Sequence, residues 1–215
     1  MSIANRITEI QKTLPQEVTL VAVSKTKPIE DLMEAYNAGQ RIFGENKIQE
    51  MSEKYQSMPK DIEWNMIGHV QSNKVKFMAP YVALIHGVDS LKLLKEIDKQ
   101  AAKNDRVIPC LLQVFIADEE TKFGFDATEL SEIFNSNVLE KYKNIKVQGL
   151  MGMATFTDNQ QQVAQEFSTL KKLYNQYAEA NNLTILSMGM SGDYKIAIDC
   201  GSNMVRIGSS IFGSR

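Results

Sequence analysis

The sequence has few of the residues that build covalent cross-links or metal sites. Its two cysteines, Cys110 and Cys200, lie far apart and match no metal-binding or redox spacing. Cys110 lies in an apolar run that is typical of a buried strand, so we interpret it as a core residue. A soluble protein in a reducing, cytoplasmic setting fits this pattern best.

Long apolar runs and an excess of charge of one sign are also missing. No apolar run approaches the ~20 residues that a membrane-spanning helix needs. The polar N-terminus, MSIANRITEIQK, lacks the apolar core of a secretory signal. The 24 Lys and Arg residues are dispersed and balanced by 26 Asp and Glu. We therefore expect neither a membrane nor a nucleic-acid partner.

The 215 residues, 43% of them hydrophobic, are enough for a sizeable core. No linker, low-complexity segment or charge block divides the chain, so residues 1–215 are predicted to form one domain. Short apolar runs alternate with amphipathic stretches along the whole length, and several of these runs suit a parallel sheet that is buried on both faces. Eight runs are predicted as strands: Thr19–Lys25, Arg41–Asn46, Glu63–Gly68, Val82–Val88, Val107–Ile116, Lys146–Met153, Ile185–Met190 and Met204–Gly208.

The stretches between these runs have helical periodicity. The segment Ile29–Ala38 begins after Pro28 and ends at Gly39, which is typical of a helix. Eight strand–helix repeats predict an α/β fold of the (β/α)₈ TIM-barrel type, with a doubly wound open sheet as the alternative. The other predicted helices are Leu91–Ala101, Asp126–Phe134, Val163–Ala180 and an extra N-terminal helix, Ile3–Leu14.

The site of such a barrel forms at the carboxyl ends of its strands. Lys25 ends the first predicted strand and Asn46 the second. Burial of Lys25 against the apolar run LVAV would lower its pKa and let the amine condense with an aldehyde. The alternative is that Lys25 is simply the first solvated residue after a strand. Lys27, directly before Pro28, is interpreted as a solvated flank.

Two glycine- and serine-containing segments follow the last two predicted strands, where barrels commonly bind phosphate. Ser191 and Gly192 precede a helix-like stretch, DYKIAIDCG, whose free N–H groups would attract an anion. Gly208, Ser209 and Ser210 offer a close backbone approach and two hydroxyls. The alternative is that both segments are only tight turns.

Arg206 lies inside the last predicted strand, which is an unusual place for a permanent cation. Strand alternation puts Arg206 on the same side as Gly208. If that side faces the lumen, the guanidinium would meet a ligand held above it. The alternative is an ion pair with a neighbouring acid.

Over essentially its whole length the chain resembles the pyridoxal phosphate homeostasis proteins, also called proline synthetase co-transcribed homologues. Two residues depart from the family pattern. Asn65 stands where the family often has His, and Val70 where Leu is common. The resemblance rests on six ordered blocks: Val21–Pro28, Phe43–Glu50, Ile67–Lys74, Lys122–Phe125, Gly149–Thr155 and Leu186–Gly213.

The resemblance implies the barrel of the alanine racemase N-terminal domain, the fold type III proteins that bind pyridoxal 5′-phosphate (PLP). In the family the lysine equivalent to Lys25 carries PLP as an internal aldimine, and the equivalent of Arg206 faces the pyridine nitrogen. The phosphate contacts correspond to Ser191, Gly208 and Ser209. Asn46 lies near the cofactor by the same correspondence.

A cation at the pyridine nitrogen disfavours ring protonation and makes PLP a poorer electron sink. Racemases that resemble this barrel take their second base, a tyrosine, from a C-terminal domain, whereas this sequence ends at Arg215. The resemblance therefore implies a non-enzymatic, cytoplasmic, monomeric PLP carrier, with apo PLP-dependent enzymes as candidate recipients. The alternatives are a single-domain racemase or related PLP enzyme, and a cofactor-free Schiff-base aldolase.

Overall fold

The computed structural model describes residues 1–118 and 123–213. Eight parallel strands close into a barrel in chain order, with the last strand paired to the first. This closure confirms the predicted (β/α)₈ barrel and excludes the open doubly wound sheet. The strands are β1 (Thr19–Val23), β2 (Ile42–Glu45), β3 (Glu63–Met66), β4 (Leu84–Val88), β5 (Ile108–Gln113), β6 (Ile145–Met151), β7 (Ile185–Ser187) and β8 (Met204–Ile207).

Helices follow the strands around the barrel, and the predicted extra helix precedes β1. The sequence gives no bounds for helix α3 or for the four-residue helices α4 and α9. In the described part of the chain, no helix is both long and apolar enough to cross a membrane. The helices are α1 (Ile3–Thr13), α2 (Ile29–Asn37), α3 (Ile48–Ser57), α4 (Val75–Met78), α5 (Leu91–Ala102), α6 (Ala127–Asn135), α7 (Gln160–Asn181), α8 (Tyr194–Asp199) and α9 (Ser209–Phe212).

Local sequence explains where several helices begin. Ser90 caps α5 by accepting a hydrogen bond from the Leu93 N–H. Asp126 and Glu129 form a capping box at the start of α6, so Asp126 is the cap rather than the first helical residue. The predicted Lys122–Phe125 block precedes this helix, and Lys122 lies outside the described residues.

Most predicted strands run one to three residues past the observed carboxyl ends. Val114 and Met188, for example, lie beyond the ends of β5 and β7 but are fully buried. Apolar character therefore continues past the regular strands into the turns that cover the barrel mouth, and Val114 and Met188 each still donate one backbone hydrogen bond to a neighbouring strand. Lys25, predicted to end β1, lies in the turn after Val23.

The apolar residues form two separate cores. The larger core lies between the barrel and its helices and includes Phe43, Trp64 and Phe167. The smaller core fills the lumen with side chains that alternate with the outward-facing residues of each strand. The lumenal core contains Val21, Leu84, Leu111, Met151 and Met204.

Candidate functional site

A cavity of about 510 Å³ opens at the carboxyl ends of the strands. The position is the one that barrel enzymes use for their sites. The structure brings together all six residues that the sequence singled out, because each of them lines this cavity. They are Lys25, Asn46, Ser191, Arg206, Gly208 and Ser209.

Lys25 lies half-buried in a turn between β1 and α2. The next residue, Thr26, has a φ of 63°, in the left-handed region that β-branched residues rarely enter. Such a conformation costs roughly 1–2 kcal/mol for a residue with a Cβ atom. The turn is therefore held by contacts strong enough to offset local strain, as is common at functional sites.

Hydrogen-bond donors converge at the ends of β7 and β8. The Gly208 N–H donates to Ser191 Oγ at 3.1 Å, and the Ser210 N–H points to the same oxygen at 3.5 Å. A Cβ atom at Gly208 would lie 3.1 Å from the Val23 carbonyl oxygen, so the backbone of β8 approaches β1 closely here. Backbone N–H groups and serine hydroxyls at one point can bind an oxyanion.

Arg206 points into the lumen and forms the floor of the cavity. The side chain is buried, and its guanidinium donates to the carbonyl oxygens of Ser187 and Gly152 and to Ser187 Oγ at 2.7–3.1 Å. Burial lowers the pKa of Arg206 to about 10, which leaves the group cationic at neutral pH. Among the described residues no carboxylate lies within 4.0 Å of it, and Asp193 acts on the guanidinium only from a longer distance.

A chain of buried hydrogen bonds continues from Arg206 across the lumen. Ser187 Oγ lies 3.1 Å from His86 Nδ1, and His86 Nε2 lies 2.8 Å from Asn65 Oδ1. The Asn65 amide donates in turn to the Glu63 carbonyl oxygen. Since the amide oxygen can only accept, His86 donates through Nε2 and accepts the Ser187 proton at Nδ1. Every hydrogen bond in this lumenal chain therefore runs away from the guanidinium.

This direction requires a neutral imidazole. Burial lowers the pKa of His86 well below its ordinary value of 6.5, and the nearby Arg206 cation lowers it further. A protonated His86 would be a donor at both nitrogens and would break the bond from Ser187. The hydroxyl proton of Ser187 therefore points to His86 only while His86 stays neutral.

We expect His86 to make the folded state sensitive to acid. In the unfolded chain the His86 imidazole binds a proton near pH 6.5, whereas in the folded protein it does so only at lower pH. The free energy of unfolding is therefore unaffected by His86 above pH 6.5 and falls as the pH drops below 6.5. The His86 contribution is about 1.4 kcal/mol per pH unit in that range. Urea unfolding should show that the free energy of unfolding decreases less between pH 7.5 and pH 5.0 for His86→Asn than for the wild type. His69→Asn is the control, and an equal change in both variants would contradict the assignment.

Aromatic and apolar side chains form another part of the cavity lining. His69 stacks on Phe123 with ring centroids 4.2 Å apart, and its Nδ1 lies 2.9 Å from Asp89 Oδ2. Met153 and the exposed Phe156 continue this wall toward the mouth. Within residues 1–118 and 123–213, no group of three or more His, Cys, Asp or Glu side chains could hold a metal ion.

The lumenal chain is not predicted from the sequence, which gives His86, Ser187 and Asn65 no role in a site. A polar residue within an apolar strand, as in LIHGV, was the one available signal. Asn65 stands where the family often has His, and in this chain its amide oxygen accepts a hydrogen bond from His86.

The closed barrel with a cavity at its mouth is the architecture of the alanine racemase N-terminal domain class. The family model of the alanine racemase N-terminal domain matches residues 1–215. Alanine racemase from Bartonella henselae has this fold, with a TM-score of 0.73 at 18% identity over 99% of this chain and 58% of that one.

Relatives with higher sequence identity identify the family within this class. Pyridoxal phosphate homeostasis proteins from Aquifex aeolicus and Helicobacter pylori are 40% and 42% identical, over 91% of this chain and 86% and 87% of theirs. The structure of PipY from Synechococcus elongatus with PLP bound matches with a TM-score of 0.89 at 32% identity, covering 99% of this chain and all of that one. The chain belongs to the pyridoxal phosphate homeostasis protein family.

Proposed function

We propose that this chain binds PLP in the barrel-mouth cavity and holds it as a Schiff base on Lys25. One observation carries the proposal: an amine, a set of oxyanion donors and a buried cation line the same cavity. Each of these groups matches one chemical feature of PLP, namely its aldehyde, its phosphate and its pyridine nitrogen. The structure of PipY, which is 32% identical to this chain, contains bound PLP and supports the choice of ligand.

The residues present fit the phosphate group. Ser191 Oγ already collects the N–H groups of Gly208 and Ser210, which shows that these donors point to one place. Ser209 adds a hydroxyl beside them, and the open space around Gly192, where a Cβ would meet nothing within 4 Å, leaves room for an anion. Neutral donors suit a dianion that must also be released, since they add no permanent charge.

The remaining groups fit the ring. Arg206 presents a cation that is held by three hydrogen bonds to Ser187 and Gly152, so its orientation is fixed before a ligand arrives. A fixed guanidinium favours an unprotonated pyridine nitrogen, because protonation would place two cations together. PLP supplies the aldehyde that condenses with an amine, and an unprotonated ring lowers its capacity to stabilise carbanions. Asn46 lines the cavity on the Lys25 side.

We further propose that the role is carriage of PLP rather than catalysis. Racemase chemistry in this barrel needs a second base opposite the lysine, typically a tyrosine. The described residues that line the cavity include neither a tyrosine nor a cysteine, and the histidine among them, His69, is held by Asp89 and by stacking on Phe123. We propose a cytoplasmic monomer that takes part in vitamin B6 homeostasis and releases PLP to apo PLP-dependent enzymes.

The phosphate assignment has a direct test in Ser191→Ala. Loss of one hydrogen bond to a charged group should weaken PLP binding roughly 10- to 100-fold, since such bonds contribute ~1.5–3 kcal/mol. Pyridoxal, which has the same ring and aldehyde but no phosphate, serves as the ligand control. Calorimetric titration should show a changed PLP affinity and an unchanged pyridoxal affinity. Equal weakening of both ligands would place the phosphate elsewhere.

A further inference from the structure

A buried cluster of charged side chains lies directly behind Lys25, on the outer face of the barrel. Glu45 follows the lumenal Gly44 on β2 and points outward toward α3. There Lys54 Nζ lies 2.7 Å from both Glu45 Oε1 and Glu50 Oε1. The side chains of Glu45 and Lys54 are 0% and 6% exposed, whereas that of Glu50 is 22% exposed.

This cluster bonds to the backbone on both sides of Lys25. Lys54 Nζ donates to the Ser24 carbonyl oxygen at 2.8 Å, and the Ser24 hydroxyl donates to Glu45 Oε1 at 2.7 Å. Glu50 Oε1 accepts the N–H of Thr26 at 2.6 Å. All three protons of the Lys54 ammonium are used, two by carboxylates and one by the main chain next to Lys25.

The cost of the cluster argues against a purely stabilising role. Glu45 Oε2 is buried with no hydrogen-bond partner among the described atoms, and burial raises the pKa of Glu45 although Lys54 opposes the shift. Apolar residues of similar volume often stabilise a protein as well as a buried ion pair does. What an apolar cluster cannot do is hold the left-handed Thr26, whose N–H needs a fixed acceptor.

Two lysines line the cavity at this turn, Lys25 and Lys27, and both could reach an aldehyde. Lys27 Nζ donates to the Phe212 carbonyl oxygen at 3.0 Å, which anchors it near the end of α9. The path of the backbone between Ser24 and Thr26 decides which amine points to the cavity centre. The cluster fixes that path.

We propose that Glu45, Lys54 and Glu50 are positioning residues for Lys25, and that they select Lys25 over Lys27 as the lysine that carries PLP. The inference rests on the proposed function, since it concerns the same Schiff base. None of the three residues lines the cavity. Their action is therefore through the Ser24–Thr26 backbone and not through contact with a ligand.

Glu50→Ala is the variant to test, because its partly exposed position favours folding. We expect PLP to bind roughly tenfold more weakly, with part of the borohydride-reduced label moving from Lys25 to Lys27 in peptide mass spectra. Glu50→Gln retains an acceptor for the Thr26 N–H and should restore most of the labelling at Lys25. Glu53→Ala, an exposed residue on the same helix, is the matched control and should behave as wild type.

A double-mutant cycle separates positioning from general damage. In a background that lacks both amines, Lys25→Ala with Lys27→Ala, Glu50→Ala should leave the residual PLP affinity unchanged, since no lysine remains to be positioned. Equal weakening in both backgrounds, or an unchanged label distribution in Glu50→Ala, would overturn the inference. Wild-type protein that takes no label at Lys25 would instead refute the proposed function, so the two failures are distinguishable.

Discussion

Replacing Lys25 by Ala should abolish the Schiff-base absorbance of the PLP-loaded protein completely. Lys25 lines the cavity together with the phosphate donors at Ser191 and Gly208 and the cation of Arg206. Removal of the amine leaves these non-covalent contacts in place, so weak PLP binding should persist. Absorption spectroscopy and calorimetric titration of the same sample measure both effects.

The matched control for this variant is Lys27→Ala. Lys27 lines the same cavity two residues further on, but its amine is bonded to the Phe212 carbonyl oxygen. We expect the Lys27 variant to keep the Schiff-base absorbance. A band that persists in Lys25→Ala and disappears in Lys27→Ala would reverse the lysine assignment while leaving the cavity assignment intact.

Gly149→Ala should prevent the barrel from closing. The register between β5 and β6 shifts between Cys110 and Leu111, and just past the shift Gly149 pairs with Ile185 of β7. A Cβ atom at Gly149 would lie 1.8 Å from the Ile185 carbonyl oxygen, far inside contact distance, and no side-chain rotation can relieve a backbone clash. We expect the free energy of unfolding to decrease by on the order of 4 kcal/mol or more, which is exceptional for one substitution.

Gly192→Ala is the control for this effect. The position is exposed, and an added Cβ would meet no atom within 4 Å, so stability should change by no more than about 0.5 kcal/mol. Urea unfolding followed by circular dichroism measures both variants. A Gly149→Ala protein as stable as Gly192→Ala would mean that β6 and β7 pair in another register.

The fold could be predicted because each strand has a strong local signal. Apolar runs such as IPCLLQ in β5 are buried on both faces, and their eightfold repetition with helices between them suits a closed parallel barrel. Strand ends could not be predicted as well, since buried residues such as Val114 continue past the last residue of the strand. The short helix α9, which spans only Ser209–Phe212, is too brief to show a period.

The site residues at strand ends could also be predicted, because parallel strands bring their carboxyl ends to one place. Lys25, Arg206 and Gly208 reach the same cavity for this reason. The lumenal chain could not be predicted, since His86 and Ser187 are 101 positions apart on strands that are not neighbours. Their meeting depends on the width of the closed barrel, which no local pattern contains.

The charged cluster behind Lys25 was hidden for a different reason. Glu45 belongs to the Phe43–Glu50 block that carries the family resemblance, yet the sequence does not show which barrel face it occupies. Alternation along β2 places Gly44 in the lumen and Glu45 outside. The turn that contains Lys25 is held from this outer side by Lys54 on α3, which donates to the Ser24 carbonyl oxygen. The sequence does not show this contact.

We propose that this protein holds PLP without turning over an amino acid. The experiment that checks this is the absorption spectrum of the purified, PLP-loaded protein before and after addition of each common amino acid, with product analysis by chiral chromatography. We expect a Schiff-base band and no racemised, decarboxylated or transaminated product. A band accompanied by product formation above that of free PLP would show an enzyme, and would contradict the carrier role.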